Sequence, residues 1–366
     1  MASNNVGRTI IQAGFNRMNK LVQISDANRT SPNHKTNRVD FLDGWRGLAI
    51  SFVLLNHFFK PDYISFGRLG VDIFFVLSGL LMSNILFVKK TPLKTFYWRR
   101  FTRIYPAFFV VVSSICLVSY IFDLSEEHEN YFYILTFVRT YVESAAHLWN
   151  TGIPIGHTWS LNVEEHSYIF LSFLTVVPFL SKRWHISVLL LFTGCMSIAM
   201  NFFYIYHAEI APTAWEIRTE VVASPLLISA GYFLIRDKTA HFVESWMPLL
   251  SFILALSLYS DFTPHWAAKA IFAPLLLAFT VNHLEELPSV LLDILRLNYL
   301  RLLGVWSFSI YLWQQPFYYM VKFGEIFPGA KLFGFTLAII TGYLSFRFLE
   351  KPVREYLNDY YSDRKA

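Results

Sequence analysis

The segment Phe41–Phe59, FLDGWRGLAISFVLLNHFF, constrains the fold more than any other part of the chain. It is mostly apolar and about long enough to cross a bilayer, which takes about 20 residues of α-helix. It nevertheless contains Asp43, Arg46 and His57. Ionisable groups within a membrane span are costly, and they usually face the protein interior or a water-filled cavity. The segment therefore predicts a membrane helix with a polar site beside it.

Arg46 and His57 predict two levels within that site. They are eleven positions apart, which is close to three full helical turns and places both side chains on one face. The rise of about 1.5 Å per residue separates them by roughly 16 Å along the helix axis. They cannot touch, so one helix presents an arginine at one level and a histidine at another.

The composition is that of a membrane protein. Only 16% of the 366 residues are charged and 54% are hydrophobic, whereas a soluble domain carries about 25% charged residues. We therefore predict an all-α fold, a polytopic helix bundle, with one membrane domain over residues 39–366. The net charge of +5 is concentrated at the ends of the apolar segments, so we expect no nucleic-acid partner. The cysteines and histidines have no metal-ligand spacing, and we expect no metal.

Residues 1–38 form a predicted basic cytosolic tail. Within it, Ile11, Phe15, Met18 and Val22 follow helical spacing between basic residues. Two interpretations stay open: an amphipathic helix at the membrane surface, or an unstructured leader.

Apolar segments predict about ten transmembrane helices. Loops rich in Lys and Arg stay in the cytosol, and the densest cluster follows the second segment, so that loop and both termini are predicted to be cytosolic. The acidic stretch 123–158 is then outside, with its apolar part 131–142 re-entrant or lying over the outer face. The predicted spans are 41–59, 69–88, 104–122, 160–180, 185–206, 221–235, 247–260, 266–283, 301–321 and 331–349.

Four titratable side chains are predicted to share a level near the outer side: His57, Asp72, Glu164 and Glu165. A histidine held near a carboxylate can act as a general base on a hydroxyl group. Each residue also has a structural explanation, since Asp72 could cap a helix and glutamates are favoured in a first helical turn. Without a functional site, four separate explanations are needed for four titratable residues at the same depth. Their convergence therefore favours a functional site.

Four arginines are predicted to form a second level near the inner side: Arg46, Arg99, Arg100 and Arg103. The guanidinium group binds phosphate through two parallel hydrogen bonds. A single basic loop by itself would be only a topology signal. The two levels together predict a site with two mouths.

Five stretches in this order resemble the membrane-bound acyltransferase 3 family, over about residues 39–355. A closing EKPVR at 350–354 also fits. The stretches are DGWRGLA from Asp43 through His57, GVDIFFVLSG at 70–79, RRFTRIYP at 99–106, WSL at 159–161 through Glu164, Glu165 and Tyr168, and SFSIYLW at 307–313.

The resemblance implies transfer of an acyl group, usually acetyl from acetyl-CoA, to a sugar hydroxyl of a surface or exported glycan. It implies a bacterial cytoplasmic (inner) membrane protein with acyl-CoA, glycan and membrane lipids as partners. His57 would be the catalytic histidine, and Arg100 and Arg103 would engage the donor. The remaining expected site residues are Asp72, Glu164 and Glu165 beside His57, Arg46 and Arg99 at the donor, and Trp159, Ser160, Tyr311 and Gln314 at the acceptor.

The chain departs from the family pattern at two places. The family commonly has Trp-His-x-Pro where this chain has Trp313-Gln314-Gln315-Pro316, so an acid–base role there is in doubt, although Gln314 could bind a sugar. After the glutamate pair the family often has Gln-Phe, but here the sequence is His166-Ser167. Some members continue into a hydrolase-like domain, whereas this sequence ends at Ala366, and we expect its membrane domain to complete the transfer itself.

Other functions stay open at this stage. His57 could activate the hydroxyl directly or carry the acyl group first. A proton-coupled sugar or anion transporter would also have intramembrane His, Asp and Glu residues, although the repeat symmetry of many carriers is not evident here. A non-catalytic receptor or scaffold would leave the charges unexplained. The acceptor could be O-antigen, exopolysaccharide, a lipochitooligosaccharide nodulation signal or a macrolide sugar.

Overall fold

The computed structural model describes residues 40–124, 130–142, 154–180, 182–262, 266–323 and 327–363. Within these ranges the chain is helical, apart from turns and one β-bridge between Ile64 and Ser260. The helices are α1 Asp40–Phe59, α2 Phe66–Ser83, α3 Leu93–Ile121, α4 Asn130–Leu135, α5 Trp159–Leu174, α6 Arg183–Tyr206, α7 Thr219–Val222, α8 Ser224–Phe233, α9 Met247–Leu258, α10 Trp266–Asn282, α11 Ser289–Leu295, α12 Asn298–Phe323, α13 Ala330–Ser345 and α14 Lys351–Asp363.

Helices α1 and α12 pack backbone to backbone. A Cβ atom added to Gly304 of α12 would lie 1.7 Å from the carbonyl oxygen of Asp43, and one added to Gly47 of α1 would lie 1.9 Å from that of Leu300. Small residues allow this close approach between membrane helices. The contact holds α1, which carries Arg46 and His57, firmly against α12.

Helix α2 packs on α8 by the same means. A Cβ atom on Gly79 would lie 2.1 Å from the carbonyl oxygen of Leu226, and the Ser229 hydroxyl of α8 donates to the Val76 carbonyl at 2.6 Å. Gly79 therefore serves close helix packing, and other faces of α2 are left to line cavities.

Every predicted span contains a helix, but the third begins earlier than expected. The prediction placed Arg99, Arg100 and Arg103 in a loop before residue 104, whereas α3 is continuous from Leu93 to Ile121. Arginine has a high helix propensity, and the next proline after Pro92 is Pro106, inside the helix. The three arginines therefore project from one rigid helix and not from a loop.

Within the described ranges, four helices are long and apolar enough to cross a membrane: Phe66–Val88, Leu93–Ile121, Arg183–Tyr206 and Ala330–Ser362, the first and last continuing through a π-helical turn. Helices α9 and α10 are apolar but shorter. The all-helical class is confirmed. The possible amphipathic helix in residues 1–38 lies outside the described residues, and the placement of 131–142 relative to a membrane stays a prediction.

Candidate active site

A cleft with a basic lining opens between α2, α3, α5 and α12, beside α1. It encloses about 790 Å³ of empty space, part of it continuous with the exterior. We call it the basic cleft, and its main polar lining residues are Arg46, Ser78, Arg100, Arg103, Glu164, Tyr168 and Tyr311.

Arg100 is held on several sides within this cleft. Its guanidinium lies 2.9 Å from Glu165 Oε1 and 3.3 Å from Glu164 Oε2, and it stacks 3.4 Å above the centre of the Tyr168 ring. The Tyr168 hydroxyl donates to Glu164 Oε2 at 2.9 Å, and Ser78 donates to Glu164 Oε1 at 3.0 Å. A charge this enclosed requires such partners, because burial of an unpaired ion is costly.

This arrangement corrects the two predicted levels. Glu164 and Glu165 were expected to share a level with His57, and Arg100 was expected to lie far from them. The structure brings all three into direct contact. Hydropathy locates helix ends only to within a few residues and gives no helix rotation, so it cannot fix which charges meet across α3 and α5.

The other arginines differ in how they are bound. Arg46 pairs with Asp43 of its own helix at 3.2 Å. Arg103 is exposed and lines the cleft, and no hydrogen bond or ion pair to it is found among the described residues. Arg99 is also exposed, but it does not line the cleft. Arg103 is therefore the cleft arginine best able to offer its guanidinium to an anionic ligand.

His57 contacts an amide and an aromatic ring. Its Nδ1 lies 2.6 Å from Oε1 of Gln314, and its ring stacks on Tyr318 at a centroid distance of 4.7 Å. The Gln314 Nε2 donates to Gln315 Oε1 at 3.1 Å, so the Gln314 oxygen faces the histidine and accepts. The proton of a neutral imidazole is then on Nδ1, and the Nε2 lone pair is available as a base.

Helix α12 links His57 to the basic cleft. Tyr311 lines the cleft, and Gln314 follows it by three positions, which is about 4.5 Å along a helix. The Tyr311 hydroxyl donates to the carbonyl of His157 at 2.6 Å and lies 2.7 Å from the Ser160 hydroxyl. His57 therefore lies about one turn beyond the end of the cleft marked by Tyr311 and Ser160.

Asp72 lies in a different setting from the one expected. Its Oδ2 accepts hydrogen bonds from Arg68 Nε at 3.1 Å and from the Tyr259 hydroxyl at 2.6 Å. No hydrogen bond between His57 and a carboxylate is found among the described residues. Trp159 is buried beneath the Arg68 guanidinium, 5.5 Å from its ring centre, and does not line the basic cleft. The partner that orients His57 is the neutral Gln314.

Sequence reasoning missed two residues near the site. His157 is buried with its ring 5.0 Å from that of Tyr311, and it precedes the Trp159-Ser160 motif by two positions, which was the available signal. Ser78 was not among the predicted site residues, but its hydroxyl faces the basic cleft and donates to Glu164.

Together, the apolar helix bundle and its enclosed arginine–carboxylate cleft beside a histidine define a helical membrane protein with a polar site. The chain belongs to the acyltransferase domain family, which matches residues 39–348. Membership of this family does not favour the transporter alternative. No solved structure matches the chain.

Curated relatives are similar over most of this chain. The peptidoglycan O-acetyltransferase OatA of Listeria monocytogenes is 25% identical over 87% of the chain and 56% of the relative. A putative O-acetyltransferase of Staphylococcus aureus is 26% identical over 86% and 57%. The putative peptidoglycan O-acetyltransferase YrhL of Bacillus subtilis is 25% identical over 88% and 56%. The chain thus spans about half the length of the curated relatives it matches.

Proposed function

We propose that this protein is a membrane O-acyltransferase that moves an acetyl group from acetyl-CoA to a sugar hydroxyl of a cell-envelope glycan. The observation that carries the proposal is the 2.6 Å contact between His57 Nδ1 and Gln314 Oε1. It orients an imidazole at the end of the basic cleft with Nε2 available as a base. The names of the relatives make peptidoglycan the first acceptor to test.

His57 would act as the general base. Its Nε2 takes the proton of the acceptor hydroxyl as the oxygen attacks the thioester carbonyl of the donor. The new carbon–oxygen bond forms, the carbon–sulfur bond breaks, and the proton passes to the departing CoA sulfur. General base catalysis of this kind contributes about 10²–10⁴-fold to a rate. Gln314 positions the ring, because its amide oxygen holds the Nδ1 proton.

The basic cleft would bind the donor. Arg103, with Arg46 beside it, offers guanidinium groups to the phosphates of CoA. Arg100 is engaged by Glu164 and Glu165, so its contribution is to build the cleft wall. The apolar side chains of α2 that line the cleft, such as Phe74 and Leu81, suit the pantetheine arm leading toward Tyr311.

This function suits the topology expected from the sequence. About ten crossings of a bacterial cytoplasmic membrane, with both termini in the cytosol, would open the arginine mouth to cytosolic acetyl-CoA. The end of α1 that carries His57 would then face the outer side, where a glycan is accessible.

The test is reconstitution of the purified protein with acetyl-CoA and soluble peptidoglycan strands, following CoA release and acetylated product by mass spectrometry. His57→Ala and His57→Gln should each lose at least about 100-fold in transfer rate, because neither side chain can take up a proton. The matched control is His241→Ala, an exposed histidine against Phe242, which should transfer normally. Transfer by His57→Gln at close to the wild-type rate would rule out histidine catalysis.

A further inference from the structure

A second cleft lies against a different face of α2. It contains about 880 Å³ of empty space, part of it open to the exterior, and is formed by α2, α6, α7, α8, α10, the turn Trp215–Ile217 and Tyr259, which directly follows α9. We call it the aromatic cleft. The residues that matter here are Arg68, Asp72, Trp215, Glu216, Trp266 and Lys269.

The aromatic cleft lies at the end of the bundle that carries His57. The loop after α1 is tied to the loop after α9, because Ser65 N donates to the Tyr259 carbonyl at 2.8 Å and Asp261 N donates to the Tyr63 carbonyl at 3.0 Å. Helix α1 enters this loop two residues after His57. A ligand in the aromatic cleft would therefore approach the reacting histidine from the same end.

The wall between the two clefts is made of stacked side chains. The Arg68 guanidinium lies 5.5 Å from the centre of the Trp159 ring, and Trp159 makes an edge contact with Phe75 at 6.1 Å. Arg68 lines the aromatic cleft and Phe75 lines the basic cleft. The two spaces are therefore separate sites on neighbouring faces of α2.

Asp72, which lines the aromatic cleft, has one carboxylate oxygen that accepts no hydrogen bond among the described residues. Asp72 is only 4% exposed, and its Oδ2 is bound by Arg68 and Tyr259. Its Oδ1 has no hydrogen-bond partner among the described residues. A buried carboxylate oxygen without a donor is unfavourable, and a ligand hydroxyl is a group that would satisfy it.

Two tryptophans at the cleft are held by aromatic neighbours. Trp266 packs on Phe202 at a centroid distance of 4.7 Å, and Trp215 packs on Tyr204 at 5.8 Å. Their positions are fixed before any ligand binds, which lowers the entropic cost of binding. Flat apolar rings with polar groups around them suit the alternating C–H faces and hydroxyl edges of a sugar.

The charges of the aromatic cleft indicate a neutral ligand. Two cations, Arg68 and Lys269, stand with two carboxylates, Asp72 and Glu216. They leave no formal net charge along the lining, in contrast to the basic cleft. Phosphate-bearing ligands have no electrostatic advantage here, whereas hydroxyl and acetamido groups can both donate to carboxylates and accept from cations.

We infer that the aromatic cleft binds a neutral pyranose segment of the acceptor glycan, next to the sugar that reacts at His57. This inference rests on the proposed function for the identity of the ligand as an acceptor. It adds a binding site, separate from the donor cleft, in which Trp215 and Trp266 contact sugar faces and Asp72 accepts from a hydroxyl.

The test is calorimetric titration of the full-length protein in detergent with tetra-N-acetylchitotetraose and with cellotetraose. At least one should bind the wild-type protein. Trp215→Ala and Trp266→Ala should each weaken that binding about tenfold, the value of one well-placed aromatic contact. Trp266→Phe, which keeps a ring against Phe202, should fall between wild type and Trp266→Ala. The control is Trp246→Ala, an exposed tryptophan outside both clefts.

Several results would overturn the inference. It fails if neither saccharide binds, if both cleft variants bind like wild type, or if Trp246→Ala weakens binding as much as they do. His57→Ala keeps this separate from the proposed function, since it should bind saccharide normally and fail only in transfer. Wild-type protein that binds saccharide through Trp215 and Trp266 but transfers no acetyl group would refute the proposed function and leave the binding site established.

Discussion

The basic and aromatic clefts flank α2, and the same arrangement of three side chains occurs in both. In each, an arginine pairs with a carboxylate that also accepts a tyrosine hydroxyl. Arg100 pairs with Glu164 in the basic cleft, and Arg68 pairs with Asp72 in the aromatic cleft. The surroundings of this arrangement then differ. Buried ion pairs of this kind seldom add much stability. The pairs therefore shape the walls of the two clefts, and the neighbouring residues determine which ligand each cleft can bind.

The neighbouring residues differ in charge and in ring type. Of the described residues, three arginines and one carboxylate, Glu164, line the basic cleft, and no tryptophan does. The aromatic cleft has two cations, two carboxylates, and the tryptophans Trp215 and Trp266. The first lining suits phosphates and the second suits a neutral sugar.

The largest effect should come from removing the arginine of each pair. Arg100 contacts two carboxylates, and its side chain is 11% exposed, whereas Arg68 contacts one and is 33% exposed. Arg100→Ala leaves two enclosed carboxylates unpaired and should cost about 3–5 kcal/mol of unfolding free energy. Arg68→Ala should cost less, because it leaves one carboxylate unpaired instead of two, and Asp72 keeps the hydrogen bond from Tyr259.

Thermal unfolding in detergent measures this difference. The control is Arg296→Ala, which removes an exposed pair with Asp293 and should change little, as surface pairs contribute about 0–1 kcal/mol. Equal losses of unfolding free energy for Arg100→Ala and Arg68→Ala would contradict this difference between the two ion pairs.

A smaller and more specific effect should follow from Arg103→Ala. Its guanidinium is not committed to a carboxylate among the described residues, so the variant should fold normally and bind CoA about 10–100-fold more weakly, the value of a lost charged hydrogen bond. Arg103→Lys should also bind more weakly, because lysine lacks the planar fork. Calorimetry with CoA measures both.

Lys269→Ala is the matched control from the aromatic cleft. It removes one positive charge from the other lining and should leave the affinity for CoA unchanged. If Lys269→Ala weakened CoA binding as much as Arg103→Ala, the donor would not be confined to the basic cleft, and the contrast between the clefts would fail.

The sequence was sufficient for features carried by a single helix. Helix α1 was expected over 41–59 and spans Asp40–Phe59, with Arg46 and His57 at separate levels, because helical geometry alone relates two positions on one element.

Contacts between helices could not be predicted in this way. The pairing of Arg100 with Glu164 and Glu165 depends on the rotation of α3 against α5, which hydropathy does not report. The contact of Gln314 with His57 could not be predicted from the sequence either. The sequence showed a departure from Trp-His-x-Pro, but only the packing of α1 on α12 showed that the amide oxygen meets His57.

The aromatic cleft had no sequence signal of its own. Trp215 lies in a short turn and Trp266 begins α10, fifty-one positions further along the chain. No periodic pattern joins two such residues. They line one cleft because Tyr204 and Phe202, near the end of α6, pack against Trp215 and Trp266, respectively.

The central claim is that donor and acceptor occupy two separate clefts at the same time. The most direct measurement is calorimetric titration of the His57→Ala protein, which cannot turn over, with CoA and tetra-N-acetylchitotetraose in both orders. We predict that each ligand binds one equivalent in the presence of the other, with affinities changed by less than about threefold. Loss of saccharide binding once CoA is saturating would contradict it, because the two ligands would then share one site.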